Sequence, residues 1–269
     1  MSSTFSGKNV VITGGSSGIG LALAQQVAKL GAHPILIARR EDMLAEARAK
    51  ILAAAPGAKV ETLALDVGVA ADVMTKVGAL ADRLPIDVLV NNAGVTMPGR
   101  FLELDLEEFR RQMDINYFGT IHMCKAALPS MVARRRGHVL NVSSLAGVIG
   151  IYGYTAYAPS KFAIAGFSQA LRAEMWPHGI GVSVCMPPDT DTPQLAFEEA
   201  HKPAETRAVA GISSKLSADQ VAAAMIRGVE KGTFEIYADM DSHFRAVSQG
   251  VIPGVVRWVC DSAQRKASR

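Results

Sequence analysis

The sequence predicts an α/β fold: a single doubly wound domain, with one parallel sheet of about seven strands and helices on both faces. Three observations carry this. Seven short apolar runs alternate with helical patterns along 269 residues, the first run leads straight into a glycine-rich turn, and no repeat, low-complexity tract or linker breaks the order. The length suits one large domain, residues 1–269.

The elements follow in order. Asn9-Val10-Val11-Ile12-Thr13 reads as a strand opening onto a helix over 18–30, and the apolar run 34–38 opens onto a helix over 41–55. A strand over 59–65 precedes a helix over 71–83, and the strand 87–90 precedes a loop and one long helix over 105–133. Next come a strand over 138–142, a helix carrying Tyr157 and Lys161, a strand over 181–186, a helix over 218–231 and a last strand over 233–238. The stretch 187–215 is polar, poor in strand signal and predicted irregular. Because it follows the C-terminal end of a strand, where open α/β sheets bind ligands, it reads either as a mobile substrate lid or as an ordinary surface excursion with one helix.

Composition excludes several classes. A net charge of +3, spread evenly, argues against nucleic acid as a partner, and the basic knot Arg134-Arg135-Arg136 reads as a solvated helix C-terminus. Cys124, Cys185 and Cys260 show no ligand spacing and no disulfide pattern, and the six histidines are dispersed, so a reducing compartment and no metal are expected. No secretion signal precedes the first strand and no apolar run reaches the ~20 residues of a spanning helix. A cytoplasmic protein, at most peripheral on a membrane, is the expectation.

The turn Thr13-Gly14-Gly15-Ser16-Ser17-Gly18-Ile19-Gly20 stands where a dinucleotide loop must stand, after a strand and at the start of a helix. Gly14 permits the turn, Gly18 lets backbone approach a pyrophosphate, and Gly20 allows close helix packing, with Ser16, Ser17 and Ile19 completing the cradle. After the second strand, where an acid would select NAD, the chain has Arg39-Arg40. Two cations there favour a 2′-phosphate and hence NADPH/NADP, with Arg39 the better fork and Arg40 either sharing the load or facing solvent.

Tyr157 and Lys161 are four residues apart on a helix, and Ser144 lies thirteen residues upstream of the tyrosine. That spacing brings phenol and ammonium to one face, about 5–6 Å apart at Cβ. The cation is expected to draw the phenol down from its ordinary pKa of ~10, into a range where it exchanges protons near neutrality.

With these residues in view, the chain resembles the short-chain dehydrogenase/reductase family over nearly all its length. The resemblance implies that Ser144, Tyr157 and Lys161 are catalytic and that Asn116 supports a water relay behind the lysine. It also implies that Asp66 with Val67 binds adenine, that Asn92, Ala93 and Gly94 close the fourth strand on the cofactor, and that Pro187 and Thr192 meet the nicotinamide. Where most members have Pro-Gly, this chain reads Pro187-Pro188-Asp189-Thr190-Asp191-Thr192-Pro193, and an acidic stretch with Lys202-Pro203-Ala204-Glu205-Thr206 follows. Both segments are similar to the 3-ketodihydrosphingosine reductase subfamily, which implies NADPH-dependent reduction of 3-ketosphinganine to sphinganine. Met43 stands where eukaryotic members carry a second phosphate-binding lysine, and their hydrophobic anchor has no counterpart here. The same triad would serve a 3-oxoacyl thioester, a steroid or a retinoid ketone, and a non-catalytic NADP sensor would show a damaged triad.

Asp189 or Asp191 would recognise a substrate ammonium, or the two aspartates would only shape the turn. Beyond residue 240, Phe244, Val247, Val251, Val255, Trp258 and Val259 recur at helical spacing among Arg245, Arg257, Arg265, Lys266 and Arg269. That tail suits an anionic membrane surface or packing against protein equally well. The resemblance also implies a homo-oligomer built through the long helices.

Overall fold

Successive side chains of a strand point to opposite faces, and here both faces are apolar, so both need a helical cover. Along β1 (Asn9–Thr13), Val10 and Ile12 enter one core while Val11 enters the other. The computed structural model describes residues 4–210 and 215–267; residues 211–214 of the predicted lid and 268–269 of the predicted tail, Arg269 among them, lie outside the described residues.

The further strands are β2 (His33–Ala38), β3 (Glu61–Ala64), β4 (Val88–Asn91), β5 (Gly137–Val142), β6 (Ile180–Cys185), β7 (Thr190–Asp191), β8 (Leu216–Ser217) and β9 (Glu235–Ile236). Seven of them form one parallel sheet in the order β3-β2-β1-β4-β5-β6-β9. One face is covered by α1 (Gly18–Lys29), α2 (Glu41–Ala54) and α9 (Ala218–Lys231). On the other lie α3 (Ala70–Arg83), α5 (Gly119–Arg134) and α6 (Tyr157–Met175). The order of strands reverses between β1 and β4, and at that point a crevice opens at the carboxyl ends.

Two expectations need correction. The long helix predicted over 105–133 is α4 (Leu106–Met113), a π-helical turn (Asp114–Phe118) and α5. The widened turn coincides with a side-chain bond into the ladder, since the Thr120 hydroxyl donates to the Asn116 carbonyl at 2.8 Å. The segment predicted irregular holds α7 (Pro193–His201) and α8 (Ala204–Ala210), and β7 pairs in parallel with β8. Its helix signal was present: Thr192 caps α7 by accepting from the Leu195 N–H, and Pro193 takes the first helical position. The tail is α10 (Met240–Val251) and α11 (Pro253–Ala267), broken before Pro253, and α11 packs on α8.

Two glycines hold the crevice open. Gly14 has φ +65°, and a Cβ on Gly20 would stand 2.3 Å from the Gly14 carbonyl oxygen and 2.7 Å from Asn92 Nδ2. Backbone cannot retreat there as a side-chain tip can. Gly20→Ala is therefore expected to destabilise the protein by about 1–3 kcal/mol in urea unfolding. Gly78→Ala in α3, where a new Cβ meets nothing within 4 Å, should stabilise it by about 0.5–1 kcal/mol.

Candidate active site

Because the strands of the main sheet are parallel, every loop after a strand emerges at one edge. Gly14 to Gly20 follow β1, Arg39 and Arg40 follow β2, Asp66 and Val67 follow β3, Asn92 to Gly94 follow β4, Ser144 follows β5 and Pro187 follows β6. At the β1/β4 reversal the Thr13 hydroxyl accepts the Asn92 and Ala93 N–H groups at 3.0 and 2.9 Å, and Asn92 Nδ2 donates to the Thr13 carbonyl at 3.0 Å. A cavity of about 530 Å³ runs from there across Ser144, Tyr157, Lys161, Pro187 and Thr192 to the C-terminal helices.

The inner end of this cavity fits a dinucleotide. Ser17, Gly18 and Ile19 line it, and Ser17 forms no side-chain cap on α1, so the first-turn N–H groups are left for an anion. The Thr192 methyl group lies over Gly18, 3.1 Å from where a Cβ there would stand. Arg39 and Arg40 are exposed at the edge beyond, free to meet a phosphate. Asp66 Oδ1 accepts from the Gly68 N–H, and Val67 is a core residue packed against Gly119; neither lines the cavity itself.

Helix α6 starts at Tyr157, and both Tyr157 and Lys161 are buried. The Lys161 ammonium donates to the Val142 carbonyl at 3.0 Å and stands 5.6 Å from the centre of the Tyr157 ring. Ser144 accepts the Ala146 N–H at 3.1 Å, and its hydroxyl stands close enough to the Tyr157 phenol to favour the ionised form. Asn116, fully buried in the π-helical turn, accepts from the Val95 N–H and donates to the Val95 carbonyl and to Ser160 Oγ. Ser160 donates in turn to the Tyr157 carbonyl at 2.7 Å. Beside Gly94 a Cβ would lie 3.3 Å from both Asn116 Oδ1 and Lys161 Nζ, so one small gap is bounded by the two polar groups.

The electrostatics depart from expectation. Burial, then the charge of Glu198, pushes the Tyr157 phenol above its ordinary value, and the Ser144 hydroxyl only partly offsets this. Lys161 does not lower it here. Its own ammonium is desolvated, which draws its pKa down to about 8, and it is directed at a backbone carbonyl.

The structure brings Asp189 into the cavity but not Asp191, whose largely exposed carboxylate pairs with Lys215 at 3.0 Å. It also brings in residues that sequence reasoning missed. Glu198 and Tyr154 line the cavity beside Tyr157, and Leu195, Val209, Ile252, Val255 and Val256 form its apolar wall. The wall residues carry no motif. For Glu198 a faint signal existed, an acid on the inward side of a helix capped by Thr192.

Among the described residues no group of three or more His, Cys, Asp or Glu side chains is placed to hold a metal. A lysine whose pKa is lower folded than unfolded costs stability in full below its folded pKa, where both states carry the proton, and the cost lessens as pH rises from about 8 towards 10.5. Lys161→Met is thus expected to be more stable than the parent at pH 7, by on the order of 1–3 kcal/mol, with the gap narrowing above pH 8 in denaturant titrations.

A family model described as short chain dehydrogenase matches residues 8–203. The 3-dehydrosphinganine reductase of Danio rerio is 41% identical over 232 residues, 85% of this chain and 70% of that protein. The 3-ketodihydrosphingosine reductase of Bos taurus is 40% identical over 241 residues, 88% of this chain and 73% of that protein. The solved structure of a short-chain dehydrogenase from Sphingobium yanoikuyae in complex with NADPH superposes with a TM-score of 0.79 at 25% identity, covering 93% of this chain and 95% of that one. With a family match across most of the chain and the serine, tyrosine and lysine gathered at the switch point of its sheet, the chain belongs to the short-chain dehydrogenase family.

Proposed function

We propose that this protein reduces 3-ketosphinganine to sphinganine with NADPH, a step of sphingoid-base synthesis. The observation that carries the reading is the cavity itself: a carbonyl-reducing trio, a buried acid beside it, and an apolar wall of the kind an alkyl chain would pack on. The names borne by the curated relatives point the same way.

NADPH, when bound, supplies the hydride that reaches the carbonyl carbon. Tyr157 gives its proton to the carbonyl oxygen, and Ser144 holds and polarises that oxygen by a hydrogen bond. Lys161 binds the nicotinamide ribose and, as its ammonium turns from the Val142 carbonyl, lowers the cost of ionising the phenol. Asn116 orders the polar gap beside Gly94, through which water restores the proton. Gly14, Ser16, Ser17, Gly18, Ile19 and Gly20 hold the pyrophosphate, Arg39 with Arg40 the 2′-phosphate, and Asp66 with Val67 the adenine. Asn92, Ala93, Gly94, Pro187 and Thr192 line the nicotinamide end.

The chain acts in this reading as one NADP-binding domain, in the cytoplasm, with 187–215 as a lid and the tail as an interfacial element. It forms a homo-oligomer, a dimer or a tetramer, through its long helices. No helix of the described residues is long and apolar enough to cross a membrane. Yet α10 and α11 expose Phe244, Val251 and Trp258 to 67–74%, with Arg257, Arg265 and Lys266 nearby. The same helices form the outer wall of the cavity. An apolar rim with basic neighbours suits an anionic lipid surface from which a lipid ketone could enter.

Purified protein should oxidise NADPH at least about tenfold faster with 3-ketosphinganine than with a 3-oxoacyl thioester at equal concentration, and Tyr157→Phe should lose the rate. Thioester turnover equal to or above that of the amino ketone would discard the substrate assignment. The full chain should float with anionic vesicles and not with neutral ones, and Val251→Asp with Trp258→Asp should abolish flotation; no flotation would leave the exposed stripe to protein packing.

A further inference from the structure

Five charged side chains line the cavity: Lys161, Asp189, Glu198, Asp241 and Arg245. Two of the acids have close cationic partners. Asp241 accepts from Arg245 Nε at 2.7 Å, and Asp189 accepts from the fully buried Lys202 ammonium at 3.2 Å. Lys202 is drawn away towards Glu199 at 2.7 Å and stands 4.0 Å from Glu198 Oε2. Glu198 is itself buried at 7% exposure. It accepts from the Tyr154 hydroxyl at 2.6 Å and from Gln194 Nε2 at 3.2 Å, both neutral donors. Asp189, Glu198 and Glu199 thus gather three carboxylates around one ammonium, and Glu198 is the one of them taken out of water; a buried carboxylate held by neutral donors is stabilised by a further cation.

Its position decides what that cation is. In an α-amino ketone the nitrogen lies only ~2.5 Å from the carbonyl carbon, so a group that reads the ammonium must stand beside the proton donor. Tyr154 packs on Tyr157 with ring centres 5.4 Å apart, and the charge of Glu198 reaches both Tyr157 and Lys161. We propose that Glu198, held by Tyr154 and Gln194, binds the ammonium of the substrate and makes the cavity select long-chain amino ketones over uncharged ones. The inference rests on the ketone-reducing reading above and moves ammonium recognition from the two aspartates to Glu198. It has a consequence for the chemistry: an ammonium at Glu198 cancels the negative field that opposes ionisation of Tyr157, so the substrate's own charge eases proton donation.

The test compares kcat/KM for 3-ketosphinganine with that for the same ketone lacking the amino group, in wild type and Glu198→Gln. The ratio of amino to deaminated ketone is expected to fall at least about tenfold in the variant; a ratio left unchanged overturns the proposal. A second measurement needs no variant: dodecylammonium should inhibit wild-type reduction of the deaminated ketone at least about tenfold more strongly than dodecan-1-ol, and equal inhibition overturns it. The two readings fail separately. Poor turnover of 3-ketosphinganine with strong, Glu198-dependent inhibition by the amine would end the sphingoid assignment and keep the ammonium site. Good turnover with a ratio insensitive to Glu198→Gln would do the reverse.

Discussion

The reversal of strand order between β1 and β4 is the constraint on which the rest depends, and one hydroxyl holds it. Connections to left and right of that point leave in opposite directions, so the backbone must part at the carboxyl ends of the two strands. Thr13, almost wholly buried, bridges the gap by accepting two N–H groups from Asn92 and Ala93. The glycine turn is thereby pinned to the loop after β4, and the crevice has a fixed width. Everything placed at this edge, from Ser144 to Thr192, inherits its position from the parallel sheet rather than from contacts made within the site.

Around that crevice the molecule tolerates groups that a core would reject. Lys161 is buried and faces a carbonyl, Tyr157 is buried beside the field of Glu198, and Asn116 interrupts a helix. Each is costly alone. They persist because the surrounding lattice determines them: Ser160 ties Asn116 to the Tyr157 backbone, and Ser143 Oγ donates to the Lys161 carbonyl at 2.8 Å. The arrangement is one of stored electrostatic cost that a bound cofactor and substrate relieve, which is how a site can be both unfavourable when free and productive when filled.

The outer half of the cavity has a different origin. It is walled by α7, α8, α10 and α11, elements that lie beyond the main sheet. Their apolar residues serve two surfaces at once, facing the cavity on one side and solvent on the other. The helix pair α10 and α11 packs mainly through α8 rather than on the sheet itself. The serine, tyrosine and lysine stand on the sheet edge, and the apolar wall of the cavity stands on the added helices.

Much of this was legible in the chain. Apolar runs of four to six residues between helical stretches dictated a parallel sheet, because strands buried on both faces cannot alternate with polar residues, and the switch-point loop followed from the glycine spacing after β1. Tyr157 and Lys161 declared themselves by a spacing that any helix turns into neighbours. What the tertiary structure alone decided was the long-range electrostatics. Lys161 turned out to be directed at Val142, nineteen positions away in sequence, and Tyr157 to be raised by burial and then by Glu198 rather than lowered by the lysine. Asp189 and Asp191, two residues apart, went to different environments: Asp189 stands before β7 and pairs with Lys202, whereas Asp191 ends that strand and pairs with Lys215. Local spacing is written in the sequence, since one turn of helix or one step of strand fixes it; desolvation and the pairing of distant charges are properties of the folded interior and exist only once the chain has closed around them.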